Sequence, residues 1–398
     1  MRILWIPHTG WAIPQRAHHF CRELARRHEV HVTDWVADFT SPAAYLSRRY
    51  LRNFLYRRSR DGEIVVHGIP RISPALFFPA LRRLNAALFA RHLRRIVAGE
   101  RIDAVVGTFV APPVEAPRLV FDVFDDNVGL WRAHGRMQGY AAEIAATEAA
   151  YLERADAVVV VSRVLADRLR AAGCQKPLTL IPNGVRLSDF SGAGSDAGQA
   201  LRRELGLRGP VIGLIGNHDR WDELARVLDV ARIHAALPAT FLIVGRGAAV
   251  QRAQHEAARA GLSNVRFAGF VPPERVAPYF AAVDVGLCPY TKSAGADAQC
   301  PMRLLAYSAA GSAVVCTELE EVKRMRLPNV VLVGDRPEQL AAGVVEALRL
   351  PRQRPAEMQH YDIEALARRY EQVLAGAAGP ADAWEQPSPA GSRERAAS

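Results

Sequence analysis

Short runs rich in Val, Ile and Leu alternate with helix-patterned stretches along nearly all of the 398-residue chain. Seven such runs lie between Arg2 and Ile181, and six between Val211 and Val333. Most are apolar throughout rather than alternating, as strands covered on both faces should be. Helices between them predict parallel sheets built from βαβ units. The polar, glycine-rich stretch Leu187–Gly209, with SGAGSDAG, divides the two sets of runs. The expected organisation is therefore an α/β chain of two doubly wound, Rossmann-like domains over residues 1–186 and 210–360. A linker over 187–209 joins them, and a helix over 361–378 and a disordered tail over 379–398 follow. Open α/β sheets bind ligands beyond the carboxyl ends of their strands, so two such domains would hold two substrates in a cleft.

Composition narrows the class. With 49% hydrophobic and 23% charged residues the chain is globular. No apolar run approaches the roughly 20 residues that span a bilayer, and MRILWIPHTG lacks the features of a signal peptide. Five scattered cysteines without CxxC spacing argue against a disulfide frame or a zinc site, and a reducing cytoplasm is the expected compartment. The net charge is +10, and residues 1–185 hold 26 Lys+Arg against 17 Asp+Glu, so nearly all the excess lies in the first half. Such a face suits nucleic acid, an anionic membrane or a phosphorylated substrate. No nucleic-acid module is recognised, so nucleic acid is not an expected partner.

The second half carries a series of strand-end glycine loops. In GLIGNHDRWDEL, Gly213 and Gly216 would let the backbone approach a ligand, and His218 and Arg220 stand near a helix N-terminus, where anions bind well. A tight turn with a surface arginine explains the same residues. Arg246 lies in LIVGRG, and Gly269 and Phe270 lie in FAGFVPPERV. A later strand ends at Tyr290, and a helix is expected to begin around Pro301, with proline at its first position. The free N–H groups of Met302, Arg303 and Leu304, with the Arg303 charge, could receive a diphosphate.

In order along residues 1–375, the segments VVSRVLADRL, IPNGVRLSDF, GLIGN, FLIVGRG, VRFAGFV and PMRLLAYSAAGSAVV resemble family-four-like GT-B glycosyltransferases of the group 1 type. In that family the last block usually reads P-x-K-x-x-E-Y-x-A-x-G-x-P-V-V, and Arg303 stands at its basic position. The resemblance implies a nucleotide-diphosphate sugar as donor and retention of the anomeric configuration. It also implies a leaving diphosphate held by helix ends and basic side chains, with neither metal nor further cofactor. Two glutamates typical of the family fall at Ala298 and Ala306, and alanine can do neither job. Asp297, Gln299, Glu318, Glu320 and Glu321 are near enough in sequence to substitute. A non-catalytic GT-B scaffold and a nucleotide-sugar epimerase are the rival readings.

The first half supplies the acceptor side. In WIPHTGWAIPQRAHHF, Gly10, Trp11, Gln15 and Arg16 are expected to bind the acceptor. In FDVFDDN, Asp125 ranks first and Asp126 second as the catalytic carboxylate, ahead of Asp122, because a carboxylate at an apolar strand end is costly unless used or well bonded. Asp126 as a helix cap is the structural alternative. Catalysis is thus expected to fall on Asp125, Asp126, Arg220 and Arg303. Tyr45–Arg60, with six arginines and no acid, reads as a basic amphipathic helix for an anionic membrane surface, with Leu76–Arg95 a second candidate. The expected function is sugar transfer to a glycan or lipid-linked acceptor, in cell-surface polysaccharide or glycolipid synthesis, at the inner face of a membrane.

Overall fold

The computed structural model describes residues 1–11, 15–35, 54–72, 75, 78–133, 138–190 and 193–377. The first sheet holds β1 (Arg2–Trp5), β2 (Glu29–Asp34), β3 (Arg57–Asp61), β4 (Ile64–Gly68), β5 (Ala104–Gly107), β6 (Arg118–Val123), β7 (Ala157–Val160) and β8 (Leu178–Leu180). Their order is β3-β4-β2-β1-β5-β6-β7-β8. All pairs are parallel except β3, which runs antiparallel along the edge of β4. The second sheet holds β9 (Val211–Asn217), β10 (Thr240–Arg246), β11 (Val265–Gly269), β12 (Val285–Cys288), β13 (Ala313–Thr317) and β14 (Val330–Val333), ordered β11-β10-β9-β12-β13-β14 and parallel throughout. Its order reverses between β9 and β12, and this is the topological switch point where such sheets bind ligands. The inner strands of both sheets are buried on both faces, which is why their sequences are apolar rather than alternating, whereas the edge strand β3 is exposed and charged.

Two expectations about the chain's course are corrected. The stretch 187–209 is not an open linker: it forms a 3₁₀ turn, Leu187–Phe190, and a helix, Ala193–Glu204. That helix belongs to the second domain, where Arg202 pairs with Asp284 and donates to the Ala282 carbonyl at 2.8 Å. Glycine there serves close packing, since a Cβ on Gly198 would lie 2.7 Å from the backbone carbon of Ala281. The expected basic helix over Tyr45–Arg60 is also absent where the chain is described. Residues 57–60 belong to the exposed edge strand β3, while 45–53 lie outside the described residues.

The helix near the C-terminus, Ile363–Leu374, returns to the first domain. Its Tyr370 ring lies 4.9 Å from Trp5 and 5.2 Å from Phe20 of the helix Arg16–Leu24. Three large aromatic rings closed against water make this contact a main part of that domain's core. The return is pinned where the chain leaves the first domain, because Val185 and Asp362 form a parallel bridge.

Candidate functional site

Donor-side residues gather at the switch point. Gly216 ends β9 with φ +146°, and a Cβ there would crowd the Arg303 guanidinium at 3.1–3.3 Å. Gly245 on β10 also has positive φ, and a Cβ on it would drive into the Gly216 carbonyl and reach His218 Nε2 at 3.0 Å. These two residues pair in register at the carboxyl ends of β9 and β10, and the close approach there, with positive φ at both, needs glycine at both positions. Gly213 is different: it lies inside β9, where a Cβ would meet the Val283 side chain, and its carbonyl accepts from the Tyr307 hydroxyl at 2.8 Å. Its small size serves packing, not approach to a ligand.

His218 is buried and sits 2.9 Å from the Val244 carbonyl through Nε2. That contact makes Nε2 the donor, so Nδ1 carries a lone pair, which has no partner among the described residues. Burial, and then the charge of Arg303, lower its pKa to about 4, so it is neutral at physiological pH. Arg303 follows Met302 in the first turn of the helix Met302–Ala309; Pro301 is its N-cap rather than the first helical residue. Arg303 is nearly buried and donates to Glu223 at 3.3 Å. Burial opposes its charge, but Tyr290 and Glu223 outweigh burial and hold its pKa above the ordinary guanidinium value. The Leu304 side chain is core, leaving its backbone as the part that can face a ligand.

Arg220 caps the helix Trp221–Ile233 from an exposed position and forks onto Asp222 at 3.2 and 2.9 Å. Its hydrogen bonds and charge hold the Asp222 carboxyl well below the usual range. Arg246 lies over the half-exposed Phe270 ring at 4.3 Å, just beyond Gly269, whose φ of +73° turns the chain. The pair forms a flat cationic shelf beside the paired glycines. Tyr290 ends the loop from β12, and burial raises its hydroxyl well above the ordinary value.

On the acceptor side, Asp125 stands just beyond β6. Burial, reinforced by the Asp126 charge, raises its pKa to about 6, although it accepts from the Asp126 N–H at 2.9 Å and bonds the Gln299 side chain. Gln299 comes from the second domain, so Asp125 spans the cleft. Asp126 is committed to structure: one oxygen accepts from Gly129 N–H at 2.9 Å and caps the helix Asn127–Ala133, and the other pairs with Arg168 at 2.9 Å. His8 stacks on Phe124 at 4.0 Å, with Phe109 6.0 Å from the same ring, giving an aromatic floor beside Asp125.

Most of the expected acceptor residues do other work. Arg16 is buried, forks onto Asp122 at 3.0 and 3.1 Å, and donates to the Ile181 and Pro182 carbonyls and to Asn183 Oδ1. It and Asp122 anchor the interdomain IPNG turn, from which Asn183 donates to the Cys300 carbonyl at 2.7 Å. Trp11 is buried against His18 at 3.7 Å, with its indole N–H on Asp61 at 2.9 Å. A Cβ on Gly10 would lie 2.5 Å from the Trp35 carbonyl oxygen, so backbone packing explains that glycine. Gln15 bonds the His8 ring, while its Oε1 is buried without a partner among the described residues.

The two alanines at the expected glutamate positions are both core residues, Ala298 at 0% and Ala306 at 7% exposure. Of the offered substitutes only Gln299 meets the cleft carboxylate. Glu321 is buried and accepts from Val164 N–H at 3.1 Å, tying the two domains together. Asp297 pairs with Lys292 at 2.9 Å and Glu318 with Lys323 at 3.1 Å, and the Glu320 N–H donates to Asp297. Glu148, not anticipated from the sequence, bonds Asn127 behind Asp126; burial, then the Asp126 charge, raise its pKa to about 7. Glu223 was missed as well. Glu148 sits on a helix that nothing in its own neighbourhood marks as part of a site, while Glu223 lies within the GLIGNHDRWDEL segment but carries no sign of its partner Arg303.

Comparison with known proteins agrees with this architecture. Residues 14–189 match Glycosyltransferase Family 4, and residues 209–349 match Glycosyl transferases group 1. A protein of Bacillus subtilis named as a teichuronic acid biosynthesis glycosyltransferase, TuaH, is 30% identical over 214 residues. That match takes in 52% of this chain and spans about half, 51%, of the relative's length. Sucrose-phosphate synthase from Thermosynechococcus elongatus superposes with a TM-score of 0.71 at 16% identity, over 94% of this chain and 98% of its own. HepE from Anabaena, solved with UDP and glucose, superposes at 0.66 and 17% identity, over 94% of this chain and all of its own. Two sheets facing a cleft and consecutive family matches over both halves place the chain among the group 1 glycosyltransferases of GT-B fold.

Proposed function

We propose that the protein transfers a sugar from a nucleotide-diphosphate sugar to a glycan or lipid-linked acceptor in cell-surface polysaccharide or glycolipid synthesis. The observation that carries this is the meeting of Asp125 with Gln299 across the cleft, in a molecule that also gathers Gly216, His218 and Arg303 at the switch point of the second sheet. The TuaH relative is named for a cell-wall polymer, and HepE was solved with UDP and glucose, which supports a nucleotide sugar as donor. The diphosphate would lie against the Met302 end of its helix and Arg303, with Arg220 at the rim and no metal. The nucleoside base would rest on the shelf of Phe270 and Arg246.

In the transfer step the acceptor hydroxyl oxygen forms a bond to the anomeric carbon while the bond from that carbon to the leaving phosphate breaks. The hydroxyl proton passes to the leaving phosphate oxygen, which keeps the anomeric configuration. Ionised Asp125 stabilises the positive charge developing on the sugar and holds the acceptor hydroxyl, and Gln299 holds Asp125 toward the donor. Charge stabilisation of this kind is worth about 10²–10³-fold in rate. Among the described residues no helix is long and apolar enough to cross a membrane. The exposed side chains of Leu55 and Tyr56 just before exposed β3, and of Phe78 and Leu84 at the start of the helix Pro79–Gly99, support a lipid-facing first domain on the cytoplasmic side.

Ala298 and Ala306 favour a second reading, a scaffold that binds a nucleotide but transfers nothing. Melting temperatures with a panel of nucleoside diphosphates and nucleotide sugars, for wild type and Arg303→Ala, test the donor pocket. One nucleotide should raise the wild-type Tm by mass action, and Arg303→Ala should lose the shift. No shift with any donor would overturn the transferase reading. A shift without detectable donor hydrolysis would favour the scaffold.

A further inference from the structure

Away from the cleft, two histidines that take no part in the proposed transfer are buried together in the outer half of the first sheet. His31 on β2 and His67 on β4 are both fully buried, with His31 Nδ1 2.9 Å from His67 Nε2. His31 pairs in register with Leu4, which packs in one core with Phe89, Leu93 and Ile96 of the helix Pro79–Gly99. The histidines therefore lie on the face of the sheet that this helix covers. Glu100, the C-cap of the same helix, completes the group: one ligand atom from each of His31, His67 and Glu100 lies within 4.8 Å of the others. Asp125 lies beyond β6, on the other side of β1.

We propose that His31, His67 and Glu100 form a structural binding site for a divalent transition metal ion of the zinc class. Two imidazoles and one carboxylate are a normal donor set for such an ion, leaving a fourth position for water. Zinc–nitrogen bonds of about 2.0–2.1 Å in a tetrahedral site place neighbouring donors about 3.3 Å apart. The two ring nitrogens would thus need to separate by only a few tenths of an ångström.

The surroundings are those of ligating residues. His31 Nε2 faces Glu29 Oε1 at 3.2 Å, His67 Nδ1 faces the Tyr56 hydroxyl at 2.6 Å, and Arg58 holds Glu100 at 3.0 Å. Metal-bound histidines characteristically give their outer N–H to a carboxylate or another oxygen, which fixes the ring and its tautomer. An ionised Glu29 only accepts, so His31 carries its proton on Nε2 and presents the Nδ1 lone pair to His67. Without an ion, His67 Nε2–H fills the gap, and the Tyr56 hydroxyl donates to His67 Nδ1. With an ion, His67 changes tautomer and gives its Nδ1–H to the Tyr56 oxygen. No proton need be released, and every polar atom keeps a partner in both states. The ion would tie β2 and β4 to the end of the helix Pro79–Gly99, and it takes no part in the transfer proposed above.

The test uses the untagged full-length chain, stripped with a chelator and titrated with Co²⁺, whose visible d–d absorption reports tetrahedral coordination. Zn²⁺ is then added as competitor, and Tm is followed in parallel. One equivalent of Co²⁺ with a tetrahedral spectrum, displaced by Zn²⁺ and abolished in His67→Gln, is the expected result. Glu29→Gln touches only the surrounding shell at a half-exposed position, so it keeps the test sound if His67→Gln misfolds. It should weaken affinity about 10–100-fold with little change in the far-UV spectrum. No stoichiometric ion in the wild type, or binding equal in wild type, His67→Gln and Glu29→Gln, would overturn the site and leave a purely hydrogen-bonded histidine pair.

Discussion

Asp125 and Glu148 are two carboxyls whose pKa values burial has pushed to about 6 and about 7, and they have different consequences. In the proposed transfer Asp125 works ionised, so kcat/KM should fall as pH drops through about 6. Asp125→Asn should lower it about 10²–10³-fold at pH 7.5 and remove that acid limb, with Tm nearly unchanged. A pH–rate profile of both forms checks this. Glu148 lies behind the site, and its folded pKa is above the ordinary value of 4.5. Its neutral form stabilises the fold below about 4.5, and that stability is lost as pH rises through 7. Glu148→Gln should therefore match wild type at pH 5 and melt higher at pH 8, read by calorimetry across that range. The place of Asp125 beyond an apolar strand was legible in the sequence, and so was Gln299 as a neighbour of the missing glutamate. Glu223 and Glu148 were not, because their contacts with Arg303 and Asn127 form only after helices from separate parts of the chain have packed. Arg16 misled for the opposite reason. It lies in a loop-to-helix segment that looks solvent-facing, and only the fold shows Asp122 and the IPNG carbonyls around it.

Among the elements, the carboxyl ends of β9 and β10 are the most demanding. Gly216 and Gly245 pair there with positive φ at both; a Cβ on Gly245 would drive into the Gly216 carbonyl and one on Gly216 would crowd Arg303. Gly245→Ala should cost about 1–3 kcal/mol through backbone strain alone. It should also displace His218 and abolish nucleotide-induced stabilisation, while a Gly99→Ala control in open space should not. The strand pattern, and with it the βαβ order, was readable from the apolar runs. The helix Ala193–Glu204 was not, since glycine, serine and alanine in AGSDAG read as a flexible joint when seen alone. The helix can lie close on Ala281 because Gly198 carries no Cβ there. Edge strand β3 was likewise hidden: its arginines are exposed, and antiparallel pairing with β4 rather than apolar burial defines it.

At the scale of the molecule, the first domain is completed by the last described helix. Trp5, Phe20 and Tyr370 share one core, and Arg26 and Arg27 pair with Glu364 and Glu371 on that helix. A chain ending at residue 360 should expose Trp5 and Phe20 and lose more than about 3 kcal/mol, the scale of a buried aromatic truncation. Limited proteolysis should then cut first within residues 1–186, while the second domain resists. Supplying residues 361–378 as a separate peptide should restore part of the protection. Polar contacts join the two domains, among them Asn183 to the Cys300 carbonyl, Glu321 to Val164, and Arg324 to Asp167 at 2.6 Å, and Val164 and Leu165 share one buried apolar cluster with Leu319, Val322 and Met325. Parting and closing of two domains of one chain as substrates enter and products leave is the default expectation. The manner of that parting follows from the bridge between Val185 and Asp362. One tether would act as a swivel, letting either half rotate about the chain. Two crossings fastened side by side act as a door hinge with a single axis, so every closing stroke brings the same loops of one half over the same loops of the other.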